Sequence, residues 1–207
     1  MDYYDKILMI AARDCIGNAT AIRNMLEALN FHVELVAINE QKEFDAAFGG
    51  NFLCADHLII QCHGVKEGLC FPLICQTTSG VWFERKHYLR SDDVKQLRKK
   101  KTEGAILALA CLSASQQLAD IFRESGFNYY IGHSGYNQID SMIFYCATFY
   151  CALRSMSRDE ETKNYTIQEA HDQATRVQEF PNATKGYRLL NIQQGNAPDA
   201  LTRAGDL

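Results

Sequence analysis

AILALAC, Ala105–Cys111, decides the fold. It is an unbroken apolar run between Gly104 and Cys111, the signature of a central strand covered on both faces in a parallel sheet. Working outward, DHLIIQC at Asp56–Cys62 is a second such run and passes directly into His63-Gly64. Upstream, KILMIAA at Lys6–Ala12 and VELVAI at Val33–Ile38 are two further strands, separated by helical apolar spacing over Asn18–Leu29 with Asn18 as its expected cap. A short helix is expected in the polar stretch before the Gly49-Gly50 turn.

Downstream of His63, Leu69–Cys75 and Val81–His87 flank the turn-rich Gln76–Gly80 and read as a hairpin inserted beside the main sheet. Ser91 or Asp92 then caps a helix that ends in the basic run Arg98–Lys101, a solvated helix end by the dipole rule. After the central strand come a helix over Ser115–Glu124, a short strand at Tyr129–Gly132 and a long aromatic-rich helix over Ile139–Met156. Thr166–Val177 is amphipathic, with Ile167, Ala170, Ala174 and Val177 on one face, and Tyr187–Ile192 supplies a last strand. Alternating strands and helices predict an α/β chain with a mostly parallel, doubly wound sheet. One domain is expected over residues 1–193, followed by a loose tail at 194–207.

A net charge of −4 and a pI near 5.9 argue against general affinity for nucleic acid or anionic membrane, both of which need a positive field. The opening MDYYDKILMIAARD lacks the basic segment and long apolar core of a secretory signal, and no run reaches eighteen apolar residues, so a cytoplasmic location is expected. The eight cysteines lie mostly within apolar segments and form no CxxC pair, the distribution of reduced thiols rather than of disulfides or structural zinc. Neither a metal nor a cofactor is expected.

His63 and Cys111 carry the chemistry. Each ends a strand of the expected parallel sheet, and ligands bind beyond the carboxyl ends of such strands. Neighbouring strands would bring an imidazole and a thiol to one rim, the pairing needed for thiolate attack on a carbonyl. Gly64, lacking Cβ, would let the backbone approach that carbonyl, with the amides of Gly64 and Cys111 as an oxyanion hole. The helix starting near Ser113–Ser115 is expected to aim its positive end at Cys111.

These stretches resemble the caspase-like cysteine peptidases, and within them the compact prokaryotic branch that includes the CHAT proteases. LIIQCHG at Leu58–Gly64 resembles the family strand with His-Gly. LALACLSA at Leu107–Ala114 resembles the strand with Ala-Cys, 48 residues after the histidine, in the order and spacing of caspases. YYIGHSGYNQIDSMIFYCATFYCAL at Tyr129–Leu153 is similar to the family's strand, glycine turn and aromatic helix.

The resemblance covers Lys6 to Val177. It implies a caspase-like α/β/α sandwich and endopeptidase activity, with His63 and Cys111 as catalytic residues and Gly64 and Cys111 as oxyanion donors. It further implies a protein substrate in a prokaryotic antiviral or cell-death system, such as a gasdermin-like pore-former. With no regulatory repeats in the sequence, control by a separate regulatory or activating protein, by cofactor-triggered assembly or by loop ordering is expected. Leu109-Ala110-Cys111-Leu112-Ser113 departs from the Gln-Ala-Cys pattern of animal caspases, so aspartate specificity is not implied.

Two residues are secondary candidates for the substrate pocket. Asp140 would select a basic side chain, against the alternative of a helix-start aspartate, and Arg13 an acidic one, against that of a solvated loop arginine. His133 ranks below His63 because no long strand precedes it. Cys62 and the aromatic residues Tyr145, Phe149 and Tyr150 read as core. A catalytically silent caspase-fold adaptor is the competing function, and the presence of His63, Gly64 and Cys111 argues against it. A nucleotide-binding domain is disfavoured because no GxGxxG or P-loop opens the first helix.

Overall fold

The central strands are apolar on both faces because both faces are covered. In the computed structural model, which describes residues 5–50, 55–94, 97, 104–154, 166–176 and 186–192, Lys6–Ala12 (β1), His57–Gln61 (β3) and Ala105–Leu109 (β7) lie side by side and parallel. His32–Ile38 (β2) extends this sheet beyond β1, and Tyr129–His133 (β8) extends it beyond β7, both parallel. Tyr187–Asn191 (β9) closes the far edge antiparallel to β8, giving the order β2-β1-β3-β7-β8-β9.

Period-two alternation divides the side chains between two cores. Leu8, Ile10, Leu58, Ile60, Ile106 and Ala108 face one side, against Phe44 and Phe48 of Gln41–Phe48 (α2) and Leu118 and Ala119 of Gln116–Ile121 (α4). Ile7, Met9, Ile59, Leu107 and Leu109 face the other, against Ile16–Ala28 (α1), Ile139–Leu153 (α5) and Ile167–Arg176 (α6). The layers are those of an α/β/α sandwich. Among the described residues no helix is long and apolar enough to cross a membrane.

The expected hairpin is Gly68–Gln76 (β5) and Trp82–Tyr88 (β6), paired antiparallel from Cys70↔Tyr88 to Gln76↔Trp82. Its outer neighbour is the three-residue strand His63–Val65 (β4), so β4, β5 and β6 form a second sheet that begins at His63 itself. Ser91–Val94 (α3) follows β6.

Two local expectations are corrected. Helix α1 begins at Ile16 rather than behind Asn18, because a 3-10 turn at Arg13–Cys15 leads straight into it and puts Cys15 at the N-cap position. Helix α4 starts at Gln116 and ends at Ile121, short of the expected Glu124. The basic run Arg98–Lys101, Val177 and the tail after Ile192 lie outside the described residues.

Candidate active site

Strand register places the candidate residues. Gln61 of β3 pairs with Leu109 of β7, so His63 and Cys111 each stand two residues past a matched pair, on the same carboxyl-end rim. Ala11 of β1 pairs with Gln61 from the other side, which brings Asp14 onto that rim as well. The Asp14 carboxylate and the His63 Nε2 are 2.6 Å apart. As the carboxylate accepts, Nε2 carries the proton of the neutral imidazole, and Nδ1 is left as its basic nitrogen.

Gly64 fixes how closely the two loops meet. A Cβ built there would stand 1.5 Å from the carbonyl oxygen and 2.7 Å from the amide nitrogen of Cys111, so only glycine allows this backbone contact. Gly132 does the same on the other flank, where a Cβ would lie 2.5 Å from the Ser113 carbonyl oxygen. Sequence reading found the first of these glycines and missed the second.

The turn carrying Cys111 is held in an unusual conformation. Leu112, the next residue, has φ of 52°, a left-handed backbone that costs a non-glycine residue about 1–2 kcal/mol. Its amide donates to the Gly135 carbonyl at 2.8 Å, and the Ala114 amide to the His133 carbonyl at 3.0 Å. Buried Ser113 completes the clasp. Its Oγ accepts from the His133 amide at 2.9 Å and shares its proton between the carbonyls of Ala110 and Ala108, at 2.8 and 3.0 Å.

The Cys111 sulfur has a donor that the sequence did not suggest. The Asn137 amide donates to it at 3.3 Å and its carbonyl oxygen stands 3.8 Å away as acceptor for the thiol, so the loop before α5, not the start of a helix, meets this sulfur. The Asn137 side chain donates in turn to the Tyr187 hydroxyl at 2.5 Å, which ties this loop to β9. Helix α4 spends its start on itself: the Ser115 Oγ accepts from the Leu118 amide at 3.2 Å.

The remaining candidates have structural partners. Arg13 forms an exposed ion pair with Glu84 of β6 at 3.3 Å, and Asp140 accepts from the Ser141 amide at 2.8 Å in the first turn of α5. His133 is buried against Tyr187, with its Nδ1 accepting from the Gly135 amide at 3.1 Å. Cys62 is buried in the core, and burial raises its thiol pKa well above the ordinary value. Cys15, beside Asp14, is pushed up to about 12 by burial and by that carboxylate. Asp14, Cys15 and His63 each offer a metal-ligating atom, and the three atoms lie within 4.8 Å of one another.

A groove of about 770 Å³ opens beside the rim, between Leu112, Ser115 and Leu118 on one bank and Val65, Glu67 and Arg90 on the other. Tyr136 and Ile139 are 84% and 51% exposed, although they bracket the residue that holds the Cys111 sulfur.

No family model and no curated protein matches this sequence. Solved structures do match its fold. Separase in the Saccharomyces cerevisiae separase–securin complex superposes with a TM-score of 0.57 at 11% identity, over 92% of this chain and 12% of that one. The Arg-specific cysteine proteinase gingipain R gives 0.56 at 12% identity, over 90% of this chain and 46% of that one. A secreted C11 cysteine protease from Bacteroides thetaiotaomicron gives 0.51 at 11% identity, over 91% and 66%. The chain has the caspase-like fold. It spans less than two thirds of each of these proteins, from 12% of the separase chain to 66% of the C11 protease.

Asp14 is the site residue that sequence reading missed. A signal was present, because Asp14 follows β1 as directly as Arg13 does. Its relevance depends on β1 being the neighbour of β3, which strand spacing alone does not state.

Proposed function

We propose that this chain is a cysteine endopeptidase in which Cys111 is the nucleophile and His63 the general acid and base, with Asp14 orienting the imidazole. The observation that carries the reading is the meeting of all three on one rim, from adjacent strands β1, β3 and β7, with Gly64 seated on the Cys111 backbone. Likeness of fold to gingipain R, the C11 cysteine protease and separase supports it.

In the reaction, His63 Nδ1 takes the Cys111 proton and the sulfur attacks the scissile carbonyl carbon. The amides of Gly64 and Cys111 receive the negative oxygen. The imidazolium, stabilised by Asp14, then gives its proton to the leaving amine as the C–N bond breaks, leaving an acyl-enzyme. Water, deprotonated by His63, attacks the thioester carbonyl and releases the acid and free Cys111.

The substrate is a partner protein. Its chain would lie along the groove beside Leu112, with Tyr136 and Ile139 forming an apolar wall near the sulfur. Arg13 and Asp140 enter substrate selection only by leaving Glu84 and the Ser141 amide. The CHAT resemblance supports a prokaryotic antiviral or cell-death setting and cleavage of a gasdermin-like pore-former, and a separate protein activates the enzyme. The separase relative was solved with securin, a second protein, which agrees with a protein partner here.

Incubation of wild type, Cys111→Ala and His63→Ala with a fluorogenic peptide library, with and without candidate partner proteins, tests the reading. Cleavage lost in both variants is expected. Cleavage that survives Cys111→Ala, or none by wild type under any condition, would overturn it and favour the adaptor.

A further inference from the structure

Asp14 faces two ways. Its Oδ2 meets His63 Nε2 at 2.6 Å, and its Oδ1 meets the thiol of Cys15 at 3.8 Å, so one carboxylate stands between an imidazole and a sulfur. Cys15 has no part in the peptidase reaction, and its side chain is only partly covered. The three ligand atoms, all within 4.8 Å of one another, are an S, an N and an O donor from two different loops. We infer that Asp14, Cys15 and His63 form a site for zinc, and that zinc bound there switches the peptidase off.

The donor set selects the ion. Thiolate and imidazole suit zinc, whereas magnesium and calcium require oxygen ligands. A tetrahedral zinc with bonds of about 2.0–2.3 Å places its ligand atoms about 3.3–3.6 Å apart. The Asp14–His63 contact must therefore open by about 0.7 Å, and the Cys15–Asp14 contact is already near that spacing. His63 and Asp14 are each about half exposed, which leaves a fourth position for water and a path for the ion.

On binding, Cys15 releases its proton to solvent, Asp14 gives up its hydrogen bond to His63, and the imidazole changes tautomer through solvent, its proton leaving Nε2 and one being taken up at Nδ1, so that Nε2 becomes the ligand. Held by a cation, the imidazole can no longer take the Cys111 proton or return it to a leaving amine. The inhibition rests on the peptidase reading; the binding does not.

Zinc titration of the full chain against a competing chelator, with cobalt(II) as a spectroscopic probe, separates the two. Wild type should take one ion and show a thiolate-to-cobalt absorption band. Cys111→Ala should keep both, within about threefold in affinity. Cys15→Ser and Asp14→Asn should each weaken binding by about 100-fold, at least what an outer-shell partner costs, and Cys15→Ser should lose the band.

In a peptidase assay Cys15→Ser should cleave at the wild-type rate without zinc and resist zinc that stops the wild type. Unchanged affinity in Cys15→Ser, or affinity lost in Cys111→Ala, would place the ion on other ligands and overturn the proposal. Should no peptide be cleaved at all, the titration still decides the site, and the peptidase reading fails alone.

Discussion

Asp14→Ala is the substitution that separates an orienting carboxylate from a bystander. The Asp14–His63 contact is short, 2.6 Å, and charge-assisted once His63 is protonated, and such a bond contributes about 1.5–3 kcal/mol in a protected site. Here the side chains are 46% and 52% exposed, so water screens the pair and about 1–1.5 kcal/mol is the better expectation. That corresponds to about a 5–12-fold loss in kcat/KM. Asp14→Asn keeps an acceptor for the Nε2 proton but not the charge, so its loss should fall between wild type and Asp14→Ala. The assay is peptide hydrolysis with a chelator present, beside Cys111→Ala as the blank. Full activity in Asp14→Ala, within twofold, would refute the orienting role. A loss as deep as that of Cys111→Ala would refute the screening argument, since a half-exposed pair cannot supply so much.

Gly64→Ala drives a Cβ to 1.5 Å from a backbone oxygen that has nowhere to move, so about 3 kcal/mol of stability and essentially all activity should go; a thermal melt should fall by about 6–12 °C. Ser113→Ala strands the His133 amide in a buried turn, and chemical denaturation should show a loss of about 1–3 kcal/mol with reduced kcat. His171 is buried, with Nδ1 2.6 Å from the Tyr145 hydroxyl, and burial lowers its pKa. Its neutral form is thus the folded one, and the stability it contributes is present above its unfolded pKa and lost as pH falls below about 6.5. Melting at pH 7.5 and 5.5 should differ less in His171→Gln than in wild type; an equal difference would mean that other groups carry the acid sensitivity.

What sequence could reveal followed the range of each interaction. The strands were legible because burial on both faces leaves an apolar run, and β1, β3 and β7 fall where KILMIAA, HLIIQ and AILAL stand. His63 and Cys111 were legible as candidates because each follows such a run directly. Gly64 was legible as a residue without Cβ directly after such a run, although the 1.5 Å contact that demands a glycine there was not. Asp14 was present as a residue directly after β1 but its pairing was not legible, and Asn137 was invisible, because their partners lie 49 and 26 residues away and only strand order or a loop path joins them. Leu112 gave no signal at all: a bulky residue at φ of 52° contradicts local preference and is held by Gly135, Ser113 and the β8 backbone. The antiparallel direction of β9 was equally silent, since an edge strand has the same apolar alternation either way.

The same distinction shows what holds the proposed histidine. Among the described residues, the Asp14 carboxylate reaches His63 and the Arg13 guanidinium reaches Glu84 of β6 in the same small sheet, and both pairs are half exposed. A half-exposed pair contributes on the order of 1 kcal/mol, too little to fix a catalytic loop. The backbone does more. His63 opens β4, whose pairing with β5 from His63↔Cys70 to Val65↔Gly68 continues through β5 into the seven-residue ladder with β6. Leu69, Phe71 and Leu73 of β5 are buried in the core beneath that ladder. The imidazole is therefore carried by a sheet anchored in apolar packing, Gly64 docks that sheet on the Cys111 backbone, and the carboxylate of Asp14 sets the ring's tautomer. Placement comes from burial, and chemistry from the short polar contact added to it.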